Sequence, residues 1–269
     1  MRSLFLTFLT GVSIVQMAGA QRLSQGELKI VESARSRYYS LDGHGFISAT
    51  CGVKFDFSTV PILSSANPAE NLDLLKKTKF VLTLDRNRPT ASYVYPNGSS
   101  DDMQRRADPM AKLLTSLIQG LFLTWPTKGL NGPIPVYDSQ IKSAVATKDG
   151  YRLILSFPGD PVRIDMNKDY LVTEIVSVSG KVDEWPRYSP SPDGLIYVGN
   201  VANDKEESGP VEVKYELENS IIDGLRLPTT IHLQVQSNID VRYTLTDCKV
   251  NKGTVLSVES PKADANTRN

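Results

Sequence analysis

The sequence contains few of the residues from which catalytic and metal sites are built. It has two histidines, His44 and His232, and two cysteines, Cys51 and Cys248. Two histidines are too few for a His-rich metal site. The sequence also lacks a G-x-S-x-G nucleophile elbow, a G-x-x-x-x-G-K-[ST] phosphate loop and a G-x-G-x-x-G dinucleotide fingerprint. We therefore expect a non-enzymatic protein with no cofactor and no metal.

The chain has no excess of charge of either sign. Its 30 Lys and Arg residues balance 30 Asp and Glu residues, so the formal net charge is zero. This balance gives no electrostatic reason to expect a nucleic-acid or anionic-membrane partner. No Gly/Ser-rich or Pro-rich linker divides the chain either. We predict a single domain over residues 21–259, and a monomer.

Residues 1–20 have the pattern of a secretory signal peptide. Arg2 precedes an apolar stretch at residues 4–15, and the triplet 18–20 (AGA) matches an A-x-A cleavage site. The apolar stretch is shorter than the roughly 20 residues of a membrane-spanning helix. We expect a soluble mature chain, periplasmic or secreted, with no integral membrane segment and a disordered tail at residues 260–269.

Alternation of apolar and polar residues predicts a sheet with one buried face. It is clearest at residues 211–218 (VEVKYELE), 231–236 (IHLQVQ) and 241–246 (VRYTLT), because side chains along a strand alternate between its faces. Turn signals separate these runs at the spacing of an antiparallel meander. Further strands are predicted at 46–57, 78–84, 91–95, 141–146, 151–157, 162–166, 171–178 and 195–198. Surface loops are predicted at 185–192 and 203–208.

The two cysteines lie near opposite ends of the mature chain. In an oxidising compartment such a pair is more often bridged than free. Strand alternation places Cys51 among the inward residues of its strand, but it places Cys248 opposite in parity to Tyr243 and Leu245. Either a bulge intervenes near Asp247 or the thiols do not meet. We predict the bulge and a Cys51–Cys248 disulfide.

Three helices are predicted. Ser24 and Glu27 form the S-x-x-E of a capping box, so a helix begins near Ser24 and ends before the cluster 41–45. Asn67 and Pro68 begin a short second helix. The third and most apolar helix is predicted to begin at Asp108–Pro109 and to end at residues 125–126. Its apolar arc is wider than a surface helix needs, so it either packs on a sheet or covers an apolar groove.

The remaining polar candidates are predicted to be solvated. His232 lies on the polar parity of its strand, and His44 lies in a turn between two glycines. The acidic pairs Asp101–Asp102 and Asp183–Glu184 are expected in loops, where adjacent acids are usually solvated rather than catalytic. A hydrolase with an unrecognised site is an alternative, and it would need a cleft that brings a histidine to an acid and a nucleophile.

Two short segments resemble a known superfamily. Residues 34–41 (ARSRYYSL), leading into the first strand, and residues 223–231 (DGLRLPTTI), between two later strands, resemble the periplasmic lipoprotein carriers of the LolA-like fold. The resemblance implies an unclosed β-barrel whose apolar concave face binds acyl chains or a lipoprotein without chemistry. The expected fold class is α+β: a large curved antiparallel sheet, or half-barrel, with N-terminal and inserted helices covering its concave face.

The leading hypothesis is an exported protein that binds a lipid or a lipid-modified partner in an apolar groove, as an envelope carrier. The alternative for each predicted groove residue is that it packs in a filled hydrophobic core and lines no groove. The second hypothesis is a structural, interaction or sensor module of the cell envelope that binds no ligand. It predicts an exposed patch around Trp185 and Tyr188. The predicted groove residues are Val53, Phe55, Tyr93, Leu114, Leu117, Ile118, Leu121 and Tyr215.

Overall fold

The fold is an α+β arrangement built on one large antiparallel sheet. The structure is a computed structural model, and it describes residues 22–59, 68–86, 88–156, 161–206, 209–236 and 239–253. The predicted signal peptide at 1–20 and the predicted tail at 260–269 lie outside the described residues. The helices are α1 (Gln25–Arg35), α2 (Pro68–Lys77) and α3 (Asp101–Thr124). The strands are β1 (Phe46–Asp56), β2 (Lys79–Asp85), β3 (Thr90–Val94), β4 (Ile141–Ala146), β5 (Gly150–Leu155), β6 (Val162–Asn167), β7 (Val172–Ser177), β8 (Val182–Ser191), β9 (Gly194–Glu206), β10 (Gly209–Ile222), β11 (Leu225–Val235) and β12 (Ile239–Lys252).

All of these strands belong to one sheet, in the order β3-β2-β1-β12-β11-β10-β9-β8-β7-β6-β5-β4. Consecutive strands are neighbours, except that the three-strand unit β1–β3 joins through β1 to the last strand, β12. β3 and β4 form the two edges, so the sheet is not closed into a barrel. The predicted fold class, a half-barrel with covering helices, is confirmed.

Two predicted loops are wrong, because β8 and β9 run through residues 185–191 and 203–206. Residues 207–208 of the second predicted loop lie outside the described residues. β8 tolerates Pro186 and Pro190 since its pairing with β7 is limited to Ile175↔Glu184 and Val176↔Asp183. Beyond that point β8 pairs, among the described residues, with β9 alone. A proline, which has no N–H to donate, is accommodated on such an edge-like stretch.

The predicted bulge and disulfide are both present. The pairing of β1 with β12 shifts between Thr50↔Lys249 and Gly52↔Thr246, and Asp247 has a positive φ of 51°. The extra residue reverses the parity of the residues after it. Cys248 is thereby turned toward the inner face and is disulfide-bonded to Cys51.

A second bulge corrects the predicted face pattern of β1. Simple alternation along β1 would place Ile47 on the same face as Ala49 and Cys51, but Ile47 is exposed while Phe46 is fully buried. The β1–β12 register shifts between Phe46 and Ser48, so the alternation changes phase there. Ile47 therefore lies on the outer face.

The capping box of α1 is present as predicted. Ser24 Oγ accepts from the N–H of Glu27, and Glu27 Oε2 accepts from the N–H of Ser24. Glu27 Oε1 also accepts from the N–H of Ala144, which binds α1 to edge strand β4. The helix ends at Arg35, earlier than predicted, because Tyr38 leaves it to form a bridge with Leu195.

α3 begins seven residues before its predicted start. Ser100 caps it by accepting from the N–H of Met103, and Asp101 and Asp102 lie in its first turn. Negative side chains at this end interact favourably with the helix dipole. The prediction that Asp101–Asp102 lies in a loop is therefore wrong, and Pro109 is inside the helix rather than at its start.

The buried side chains form two clusters on the helix-bearing side of the sheet. The larger cluster packs α2 and α3 against β1, β2 and β10–β12, and the smaller packs α1 against β4–β7. Tyr188 of β8 contacts both clusters. One continuous sheet therefore supports two separate cores.

Candidate functional site

The eight predicted groove residues all belong to the larger cluster. Four are buried: Val53, Leu114, Ile118 and Leu121. Four are partly buried and pack against them: Phe55, Tyr93, Leu117 and Tyr215. Of these eight, Val53 and Phe55 also line an open groove between β1 and α2. Contact of any of the eight with a ligand stays a prediction.

An open pocket lies instead over the smaller cluster, between the segment after α3 and the strands β5–β8. We call it the Lys128 pocket; it has a volume of about 450 Å³, within the range of known ligand sites. Its walls are mainly apolar, and Glu184 and Lys128 introduce charge. The apolar wall residues are Pro126, Pro133, Ile134, Pro135, Val136, Leu155, Val162, Ile164 and Ile175.

Of the two charged groups in the Lys128 pocket, Lys128 is buried and Glu184 is mostly buried. Lys128 Nζ forms an ion pair with Glu184 Oε2, with side-chain exposures of 7% and 19%. Asn200 Nδ2 donates to the same carboxylate oxygen at 3.0 Å. Asn200 Oδ1 is buried and has no hydrogen-bond partner among the described residues. A buried lysine and glutamate each lose hydration, which their pairing offsets only in part.

The turn after α3 fixes the position of Lys128. The carbonyl of Trp125 accepts from the N–H groups of Lys128, Gly129 and Leu130. The indole ring of Trp125 packs so closely on Gly129 that a Cβ at that position would overlap it. Only glycine fits this turn, and the turn aims Lys128 at the sheet.

The same segment is fastened to α1 farther along. Arg35 Nε donates to the carbonyl of Pro135 at 2.7 Å, and Arg35 also pairs with Asp138 at 2.8 Å. The N–H of Leu41 donates to the carbonyl of Leu130 at 2.8 Å. The outer wall of the Lys128 pocket is therefore held by α1 and by the residues after it.

Three tyrosines lie near Glu184 on the inner face. Burial raises the pKa of Tyr188, Tyr197 and Tyr215, and the negative charge of Glu184 raises each of them further. Each of these phenols therefore keeps its proton at physiological pH and can donate a hydrogen bond. Tyr188 Oη is buried without a hydrogen-bond partner in the described part of the chain.

A second open space, the Phe55 groove, lies toward the β3 edge of the sheet, whereas the Lys128 pocket lies toward the β4 edge. It has a volume of about 970 Å³ and runs between the end of β1, the start of β2 and α2. Its apolar lining is Val53, Phe55, Phe57, Leu72, Leu75, Phe80 and Val81. Its charged lining is Lys54, Asp56, Lys76, Lys77, Lys79 and Asp247.

The two histidines do not meet a nucleophile. On the outer face, His232 Nε2 lies 2.8 Å from Asp240 Oδ1 and Nδ1 lies 3.5 Å from Glu216 Oε2. His44 Nδ1 lies 2.6 Å from the carbonyl of Ser40. Within the described ranges, no hydroxyl or thiol is hydrogen-bonded to either ring. His232 is on the predicted face, but it is enclosed by carboxylates rather than freely solvated.

Other predicted features are also placed by the fold. Trp185 is exposed on the outer face, whereas Tyr188 is packed between Tyr38 and Tyr197, so these two predicted patch residues face opposite sides. Asp183 and Glu184 lie in β8, not in a loop. In the described segments there is no group of three or more His, Cys, Asp or Glu side chains that could hold a metal. No helix among the described residues is long and apolar enough to cross a membrane.

No family model, curated protein or solved structure matches this chain. The two segments that resemble lipoprotein carriers do contact each other, because the N–H of Arg226 donates to Tyr39 Oη at 3.0 Å. The fold defines a class, an unclosed antiparallel half-barrel with covering helices. A relationship to the carrier superfamily is a proposal.

Proposed function

We propose that this protein binds an amphipathic, lipid-like ligand in the Lys128 pocket and catalyses no reaction on it. The observation that carries the proposal is the combination of an open, apolar-walled pocket with one buried ion pair, Lys128–Glu184. Apolar walls favour a hydrocarbon chain by about 25 cal/mol per Å² removed from water. The ion pair gives the polar end of the ligand charged partners within the pocket.

The mouth of the pocket supports the same function. Val136 and Tyr137 line it and expose 51% and 70% of their surface. Large apolar groups at the rim of a cavity are typical of sites that exchange apolar ligands or contact a partner. We propose that a chain enters past these two residues.

The disulfide supports the predicted compartment. A bridge such as Cys51–Cys248 persists mainly in oxidising compartments, which supports export through the signal peptide predicted at residues 1–20. Together with the resemblance to lipoprotein carriers, this supports a role in moving a lipid or a lipid-modified partner within the cell envelope.

The proposal is tested by native mass spectrometry of the exported chain, followed by extraction and identification of bound lipid. Ile175→Gln places an amide on a partly exposed wall position of the pocket. The matched control is Val178→Gln, an exposed apolar position just after β7 that does not line the pocket. We expect lipid in the wild type and in Val178→Gln, and at least a fivefold lower occupancy in Ile175→Gln.

Two results would contradict the proposal. One is a wild-type protein that carries no lipid and binds no single-chain amphiphile when it is offered. The other is equal loss of lipid in both variants, which would mean that the ligand is held somewhere other than in the Lys128 pocket.

A further inference from the structure

We propose that the Phe55 groove is a second binding site, which takes an acyl chain with a carboxylate headgroup, that is, a fatty acid. The site is separate from the Lys128 pocket. The Phe55 groove lies at β2, β1 and β12, whereas the Lys128 pocket lies at β5–β8, so β11, β10 and β9 stand between them. The inference therefore holds or fails independently of the proposed function.

The groove exists because β1 is longer than its neighbour. The pairing of β1 with β2 ends at Val53↔Phe80, and β2 begins at Lys79, while β1 continues to Asp56. Among the described residues, no strand therefore pairs with the β2-facing edge of β1 after Val53. α2 closes the space from above with Leu72 and Leu75.

The floor of the groove is aromatic. Phe55 is at the centre, with ring centroids 5.0 Å from Phe80, 5.9 Å from Phe57 and 5.5 Å from Tyr243. Phe55 and Phe57 are only partly buried and leave ring surface toward the open space. Such surface favours a hydrocarbon chain, since its burial removes apolar area from water.

The charged side chains that line the Phe55 groove favour an anionic headgroup. Four lysines and two aspartates line the groove. Lys77 pairs with Asp73, but Lys54, Lys76 and Lys79 have no ion pair among the described residues. Asp56 accepts from both the N–H and the hydroxyl of Ser58.

The groove thus has an excess of positive charge in a protein whose formal net charge is zero. An anionic headgroup at its rim is attracted by several lysines at once, and this attraction is weakened by salt. A neutral headgroup gains nothing from the lysines, and a cationic one is repelled.

The test compares three single-chain amphiphiles of equal chain length by isothermal titration calorimetry, at concentrations below micelle formation. These are dodecanoate, the neutral dodecyl maltoside and the cationic dodecyltrimethylammonium. We expect dodecanoate to bind the full-length exported chain at least about tenfold more tightly than the other two. Its affinity should fall when the salt concentration is raised.

Paired variants identify the lysines. Lys54→Ser with Lys79→Ser should weaken dodecanoate binding by about fivefold to tenfold, since it removes two rim charges. Lys29→Ser with Lys168→Ser is the matched control, because it removes two exposed lysines that do not line the groove. Equal weakening in the two pairs would overturn the proposal, and so would equal affinity for the neutral amphiphile.

Amide hydrogen exchange locates the bound acyl chain of dodecanoate. Dodecanoate should slow exchange at residues 53–57 and 72–81. Slowing confined to residues 126–137 and 162–175 would overturn the second site while supporting the Lys128 pocket. Slowing at residues 53–57 and 72–81 would support the second site whether or not residues 126–137 and 162–175 are also slowed.

Discussion

At the scale of single residues, Lys128 and Glu184 decide the character of the pocket. They lie about 56 positions apart in the sequence. Lys128 comes three residues after Trp125, and Glu184 directly follows Asp183. Neither context predicts a buried charge. The structure pairs them with apolar walls on most sides. A pair in such surroundings contributes specificity more readily than stability.

Removing one member of this pair should destabilise the protein far more than removing both charges. Lys128→Met leaves Glu184 buried without its cation, and we expect a loss of about 3 kcal/mol in the free energy of unfolding. The double variant Lys128→Met with Glu184→Gln keeps a hydrogen-bond acceptor for Asn200. We expect its free energy of unfolding to lie within about 1 kcal/mol of the wild-type value. Urea unfolding measures both values. A double variant as unstable as the single one would show that the ion pair itself stabilises the fold.

Gly129 lies in the turn that positions Lys128 in the same pocket. Gly129→Ala places a methyl group against the indole of Trp125, so we expect a loss of about 1–3 kcal/mol and weaker ligand binding as Lys128 moves. Gly120→Ala is the control, since nothing lies within 4 Å of the position that its methyl group would take on α3 and alanine favours a helix by up to about 1 kcal/mol. Thermal unfolding distinguishes the two variants, and equal melting temperatures would refute the packing argument.

At the scale of elements, the disulfide joins the first strand of the sheet to the last. Cys51 and Cys248 are 197 residues apart, and β1 and β12 are neighbours only because the chain returns on itself. The bulge at Asp247 is what allows the two sulfur atoms to meet. The bridge closes nearly the whole described chain into one loop.

Cys51→Ser with Cys248→Ser should lower the free energy of unfolding by about 2–4 kcal/mol, because the unfolded chain regains the freedom that the long loop removes. Urea unfolding of the oxidised wild type, the reduced wild type and the double variant measures this. The reduced wild type and the variant should agree. A variant as stable as the oxidised protein would mean that sheet pairing alone accounts for the stability.

Sequence patterns predict most elements but not all of their limits. The meander, the capping box at Ser24 and the bulge near Asp247 are consequences of local rules of alternation and hydrogen bonding. The strand at residues 185–191 escapes prediction because its prolines indicate a loop, and only the partial pairing of β7 with β8 makes room for them. The start of α3 escapes prediction because the pattern at Asp108–Pro109 resembles a helix N-terminus more than the true cap, Ser100, does.

At the scale of the whole molecule, one sheet carries two hydrophobic clusters. Tyr188 and the continuous strand pairing from β1 to β8 connect them. We therefore expect the chain to unfold in a single cooperative transition. Far-UV circular dichroism, which reports the sheet, and tryptophan fluorescence, which reports the surroundings of Trp125 and Trp185, should give the same midpoint in urea.

Two separate calorimetric transitions would contradict this expectation and would divide the chain into two folding units. Trp185→Phe provides the control for the fluorescence signal, since Trp185 is exposed and Trp125 is buried. With Trp185 replaced, the remaining signal comes from Trp125, next to the Lys128 pocket. Its midpoint should still match that of the circular dichroism.

The sequence by itself determined that this chain forms a one-sided antiparallel sheet with capped helices, because strand alternation and capping are set by residues close together in the chain. It also placed the eight predicted groove residues in one apolar cluster. Only the tertiary structure decided which spaces stay open, because a pocket depends on the relative lengths of β1 and β2 and on where the segment after α3 lies. The same holds for charge: a net charge of zero does not reveal that lysines gather around Phe55 or that Lys128 meets Glu184, since those neighbours are distant in sequence and are brought together by the fold.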